Sequence, residues 1–229
     1  MDRNRFRIRE EEGSREWFGG RQQWMEAPWA RAGACATVVA AHQLIALGER
    51  AGIPVPVRLP EFRQEFAGFL NRLVRHVYPF YFFRHRSLTL GIFSVSRYAR
   101  LVGRAAGIHG LKIRPVWIRQ QGMFRNSRGR VSPQETASYI RQALDYGCPP
   151  ALLLGFNRHL ARIPMGGRTW NLQRHWVTVT DLRTASGRTL LEVSSWGYRF
   201  ELDLDDCWRG LLPGVLYFRL EEGQIDQIQ

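Results

Sequence analysis

Cys35 and His175 have the side-chain types and local settings that covalent chemistry needs. Cys35 sits in the small-residue stretch Gly33-Ala34-Cys35-Ala36, and His175 opens the alternating run RHWVTVTDL at 174–182. A thiol is a weak nucleophile until it loses its proton. At the first turn of a buried helix it meets the partial positive charge of unpaired backbone amides, which favours the thiolate. A neighbouring imidazolium stabilises that thiolate further and can later protonate a leaving group. Gly33 and Ala34 are small enough to let a substrate backbone approach. On this basis the Cys35 pKa is expected to lie below the ordinary thiol value of about 8.5, making it the one unusually reactive thiol. Cys148, between Gly147 and Pro149, should be raised by burial, and Cys207 follows the acidic run 203–206, which disfavours a thiolate. The competing reading is a buried structural cysteine beside a satisfied core histidine.

The other five histidines fit the role less well. His42 follows Cys35 by seven residues, on the same helix face but about 10.5 Å along the axis, too far to share a proton. His76 and His85 lie among arginines and aromatic residues. His109 and His159 flank glycine-rich or basic turns.

These side chains need elements to hold them. Residues 34–47, ACATVVAAHQLIAL, are small and apolar almost all round and end at Gly48, which predicts a buried central helix. Prolines 54, 56 and 60 break the chain before an amphipathic helix at about 61–77, and a further helix is expected at 94–106. Ser132-Pro133-Gln134-Glu135 is a capping-box start, and Gly147 with Pro149 and Pro150 is a stop. Strand signals follow at 151–156, 174–182, 190–195, 198–204 and 215–220. In 174–182 the side chains of His175, Val177 and Val179 alternate with those of Trp176, Thr178 and Thr180. Helices first and an antiparallel sheet second predict an α+β fold with the Cys35 helix packed on the sheet. The charged residues 1–16 are expected to be loose, and the aromatic run 77–83 is given no site role.

Three separated segments carry a resemblance: GGRQQWM leading to GACATVVAAH, then RHWVTVTDL, then EVSSWG. In this order they resemble the blocks of papain-like cysteine peptidases, and most of all the bacterial branch related to bacteriocin-processing, double-glycine peptidases. The likeness covers about 17–48 and 149–204, whereas about 54–130 matches nothing recognisable. It implies one papain-like domain over 17–229, with a helical insertion at about 54–130. It further implies a cofactor-independent thiol hydrolase that cleaves a peptide or amide bond through an acyl-enzyme on Cys35, with His175 as base. The family's imidazole-orienting Asn or Asp falls on Ser194, an uncharged departure. Its oxyanion-stabilising Gln falls on Gln22 in preference to Gln23, thirteen residues before the cysteine. Asp181, six residues beyond His175 on one strand, is about 20 Å away and out of reach. The alternative is a non-catalytic domain of the same fold that binds protein or polyanions.

Composition limits the remaining classes. A chain of 229 residues with 45% hydrophobic residues can bury a substantial core. No apolar run is long enough to cross a bilayer and the opening is charged, so the expectation is a cytoplasmic protein. Three cysteines without CxxC spacing argue against a disulfide framework and a structural zinc site. The net charge of +13 suggests polyanions, but of the 33 basic residues all except Lys112 are Arg, and they are spread along the chain. With no recognition motif beside them, nucleic acid is not expected to be the main partner.

Overall fold

The computed structural model of the chain describes residues 3–10, 15–53, 55, 57, 60–78, 80–81, 89–118, 131–155, 160–162, 169–209 and 214–223. His85, His159, Pro54, Pro56, Pro79 and the end of the aromatic run at 82–83 lie outside these residues.

The N-terminal half contains strands β1 (Arg7–Arg9) and β2 (Glu16–Phe18), then helices α1 (Pro28–Gly33), α2 (Cys35–Arg50) and α3 (Arg63–Leu73). Next come the short strands β3 (Phe80–Tyr81) and β4 (Thr89–Leu90), helix α4 (Val95–Ile108), strand β5 (Ile113–Ile118) and helix α5 (Pro133–Tyr146). The remainder holds β6 (Ala151–Leu153), β7 (Leu160–Arg162), β8 (Thr169–Asn171), β9 (Trp176–Ala185), β10 (Arg188–Ser195), β11 (Tyr198–Asp203), helix α6 (Leu204–Arg209) and β12 (Gly214–Leu220).

The result is an α+β fold around an antiparallel eight-stranded sheet, ordered β5-β12-β6-β9-β10-β11-β7-β8. Helices α2 and α5 both pack against β9, so residues 176–180 are buried without a break. A strand covered on both faces loses the one-sided alternation of an exposed sheet.

Helix α2 is the centre of the core, with 13 of its 16 residues buried. Gln43 ties it to its surroundings: Nε2 donates to the carbonyls of Pro149 and Leu216, and Oε1 accepts from the Tyr98 hydroxyl at 2.8 Å. Tyr98, on α4, stacks on Trp176 of β9 at a 4.4 Å centroid distance. One buried amide therefore ties α2 and α4 to the lead-in of β6 and to β12, and Tyr98 carries the link to Trp176 beside His175.

Local chemistry sets the element ends. Ser132 Oγ accepts from the Glu135 amide while Glu135 returns a bond to the Ser132 amide, completing the capping box, and Gly147 closes α5 at φ +85°. Ser94 caps α4 by accepting from the Arg97 amide.

The sequence reading differs from the fold in two places. Within the segment 1–16 expected to be loose, the described residues are ordered, because β1 pairs with β2 and both Phe6 and Ile8 are buried in the core. Three residues alternating around a single apolar side chain give too short a pattern to read. The stretch 54–130 is not a purely helical block either, since β5 pairs with β12 over six residues and forms one end of the sheet. Its exposed Trp117 and interior Pro115 suit an end strand and hide its strand character in the sequence. Among the described residues no helix is long and apolar enough to cross a membrane, and no cluster of His, Cys, Asp and Glu could hold a metal ion.

Candidate functional site

Cys35 is the first residue of α2, directly after the short helix α1. The linking residue Ala34 offers no side-chain cap, so the first amides of α2 remain available to the thiol. Cys35, His175, Gln22, Ser194, Ser195 and Trp196 all line one small cavity of about 10 Å³, room for about one water molecule. Residues far apart in the chain thus converge on one cavity.

His175 is held from both ends. Its carbonyl accepts from the Leu154 amide at 2.9 Å, which continues the β6–β9 ladder past its last strand residue. On the ring, Nε2 lies 2.6 Å from Ser195 Oγ, and Trp196 packs on the imidazole at a 4.4 Å centroid distance, tilted by 36°. Trp196 (φ 50°) and Gly197 (φ 77°) form the two-residue turn between β10 and β11, both left-handed as a type I′ hairpin requires. Glycine takes that conformation freely. A tryptophan there costs about 1–2 kcal/mol, which the surrounding packing must offset.

Ser194 does not orient His175; Ser195 does. The pairing explains the correction: Ser194 lies opposite Thr178, so it shares Thr178's face of the sheet, whereas Ser195 turns to the face of Val177 and His175. The alternation in 174–182 extends across the pairing to β10, where it sets the two serines on opposite faces. A bulge between Glu192 and Val193 shifts the register just before these serines.

Ser194 instead secures the segment that leads to Gln22. Its Oγ donates to the Phe18 carbonyl at 2.7 Å, the Phe18 amide donates to the Gly197 carbonyl at 2.9 Å, and the Gly20 amide donates to His42 Nε2 at 3.2 Å. Because Nε2 of His42 accepts, Nδ1 carries the proton and donates to Thr178 Oγ1 at 2.8 Å. Gly19 has φ +81°, and a Cβ there would lie 2.0 Å from Ser194 Oγ, so no larger residue fits. His42 therefore stands apart from the thiol and holds the 18–20 loop. Sequence reasoning assigned it no such part, and no local motif signals it.

Gln22 is 8% exposed and its Nε2 donates to the Arg31 carbonyl at 2.8 Å. One hydrogen of Nε2 is left over, and Oε1 is buried with no partner among the described residues. Gln23 is exposed. A buried amide with spare donor and acceptor capacity on a cavity wall is equipped to bind a polar group there.

Electrostatics departs from the sequence expectation. Burial pushes the Cys35 thiol above its ordinary value, opposed by the backbone amides of Trp176, Ala36 and Cys35 itself. The thiol was expected below that value, but at 9% exposure desolvation outweighs the helix terminus. Burial also pushes both His175 and His42 down to about 3. Cys35 and His175 are consequently an uncharged thiol and imidazole near neutrality. The remaining thiols are raised as well: burial takes Cys148 to about 12, and burial together with Asp203 and Asp206 takes Cys207 to about 12. Asp181 pairs with Glu192 beyond the bulge, away from His175. His76 is exposed, and His109 packs beside Phe69.

Comparison of the chain with protein-family models, with curated proteins and with solved structures finds no match. The site must therefore be read from its own chemistry. A thiol at an uncapped helix start, an imidazole with one nitrogen engaged by a serine and a buried amide on the same wall can form a nucleophile, a base and an oxyanion donor.

Proposed function

We propose that the protein is a thiol hydrolase of papain-like type that cleaves peptide or amide bonds through an acyl-enzyme on Cys35. The observation that carries the reading is the convergence of Cys35, His175 and Gln22 on one cavity, with His175 Nε2 engaged by Ser195. Residues of these types from three distant segments have little reason to meet in a merely packed core.

In this mechanism the resting pair is neutral. With Nε2–H donating to Ser195 Oγ, Nδ1 is the basic nitrogen. It accepts the thiol proton as Sγ attacks the substrate carbonyl, and the resulting imidazolium hands that proton to the leaving amine. The tetrahedral oxyanion takes hydrogen bonds from the Cys35 amide and from the second hydrogen of Gln22 Nε2. Water then attacks the thioester, with His175 again as base. Ser195 fixes the ring's tautomer without supplying a charge, and Trp196 shields the pair from solvent.

Ser195 and Ser194 separate this arrangement from the simpler motif alignment. Ser195→Ala is expected to lower kcat about 10- to 100-fold on a fluorogenic peptide-amide library, with KM little changed. Ser194→Ala should cost less, because it loosens the Gln22 loop and leaves the imidazole bond intact. Ser194→Asn should not raise activity, since Phe18 and Gly19 leave it no room. An unaffected Ser195→Ala variant together with an inactive Ser194→Ala variant would contradict the assignment.

A further inference from the structure

Beside the cavity lies a group of arginines and aromatic rings that the proposed chemistry does not use. The Arg15 guanidinium lies 4.1 Å and that of Arg21 4.5 Å from the centroid of Trp17, and Arg21 is also 5.7 Å from the Tyr198 ring. Trp17 meets Trp24 edge-on at 5.9 Å, and Arg63 sits 5.9 Å over Trp24. Arg63 pairs with Glu10 at 2.8 Å, but neither Arg15 nor Arg21 has a carboxylate partner among the described residues. Arg21 Nε is buried there without any hydrogen-bond partner. Desolvation disfavours the charged form of Arg21, Tyr198 opposes it, and the neighbouring charges of Arg15 and Arg63 add to it. Among the described residues, this like-charged group has one neutralising acid, Glu10, which leaves it suited to further anions.

The group adjoins the cavity directly. Arg21 precedes Gln22, and its stem packs so closely on Gly197 that a Cβ there would lie 2.7 Å from Arg21 Cγ. Gly197 in turn follows Trp196, the ring over His175. The arginine face is thus joined to the cavity wall through Gln22 and the Trp196–Gly197 turn.

We propose that Arg15 and Arg21, stacked on Trp17, form a subsite for an acidic stretch of the substrate peptide. The inference rests on the hydrolase reading for why a peptide should lie here. The rings favour carboxylates over nucleic acid: single strands are held by bases stacking on open aromatic faces, whereas Trp17 is buried and already carries two guanidiniums. Stacked arginines keep their N–H edges outward in a fixed plane, which suits bidentate carboxylate binding.

The test is fluorescence anisotropy on the full chain carrying Cys35→Ala, with labelled hexaglutamate, hexaglutamine and a short single-stranded DNA as probes. Hexaglutamate should bind at least about tenfold more tightly than hexaglutamine, and Arg15→Gln and Arg21→Gln should each remove most of that difference. The exposed control pair Arg100→Gln and Arg104→Gln on α4 should leave it unchanged. Arg15 is exposed, so its variant answers the question even if Arg21→Gln unfolds the chain. Equal binding of the two peptides, an equal loss from the control pair, or tighter binding of the DNA would each overturn the proposal. Since no turnover is measured, failure here leaves the Cys35 mechanism standing, and an inactive Cys35 leaves this result standing.

Discussion

Cys35→Ala is expected to reduce amide cleavage at least about 10³-fold, His175→Ala by a similar factor, and the double variant no further. The three effects should coincide because nucleophile and base act as one unit: without the thiol the imidazole has no proton to accept, and without the imidazole the buried thiol has no acceptor. A factor of 10³ corresponds to about 4 kcal/mol of lost transition-state stabilisation. The loss should fall on kcat, since neither side chain is asked to bind the ground state. Cys35→Ala removes a single buried sulfur, so the thermal midpoint should move only a few degrees and the effect cannot be ascribed to unfolding. Multiplying single-variant losses in the double variant would mean that the two residues work separately, and an active Cys35→Ala protein would remove the nucleophile altogether.

The largest expected stability effect lies about two turns along α2 from Cys35, at Gln43. Gln43→Leu should destabilise the protein by about 3 kcal/mol or more, lowering its thermal midpoint by roughly 10 °C. Leucine is similar in size and apolar, and on hydrophobicity alone it should be welcome in a fully buried position. It would, however, leave the Pro149 and Leu216 carbonyls without their Gln43 donor and the Tyr98 hydroxyl without its acceptor, all in the interior. Each buried polar group stripped of its partner costs about 1–3 kcal/mol. Because Tyr98 stacks on Trp176, the ring beside His175, activity should decline along with stability. Calorimetry of the two proteins at one pH reads the difference, and a gain in stability would show that the network is dispensable.

Much of the scaffold was legible in the residues. The small apolar run 34–47, the capping box at Ser132 and the strand patterns after Pro150 each state a local preference that tertiary packing has no cause to override. The missed elements lack such local statements. Strands β1, β2, β7 and β8 are three residues each, too short for a period to emerge, and β5 carries a proline at its centre.

At the site the residue types were legible and the directions less so. Cys35, His175 and Gln22 stand out by chemistry and order, but choosing Ser195 over Ser194 depends on the face each serine takes opposite Thr178. The lowered thiol pKa inferred from the helix terminus failed because burial is a property of the whole fold. Thirteen residues of α2 are enclosed, and the terminus is enclosed with them. His42 acts through a loop that only folding brings to it.

The central claim, that Cys35 is a nucleophile coupled to His175, is tested most directly by limited alkylation of the native protein with iodoacetamide at about pH 8, followed by peptide mapping. A thiol held above its ordinary pKa gains thiolate about tenfold per pH unit below that pKa, so labelling should climb through the alkaline range and show no plateau at neutrality. Cys35 should be modified first, ahead of Cys148 and Cys207, whose thiols lie at about 12. His175→Ala should slow that modification by removing the group that takes the thiol proton. Equal labelling of the three cysteines, or a Cys35 rate indifferent to His175→Ala, would contradict the account and leave Cys35 a structural cysteine in the core.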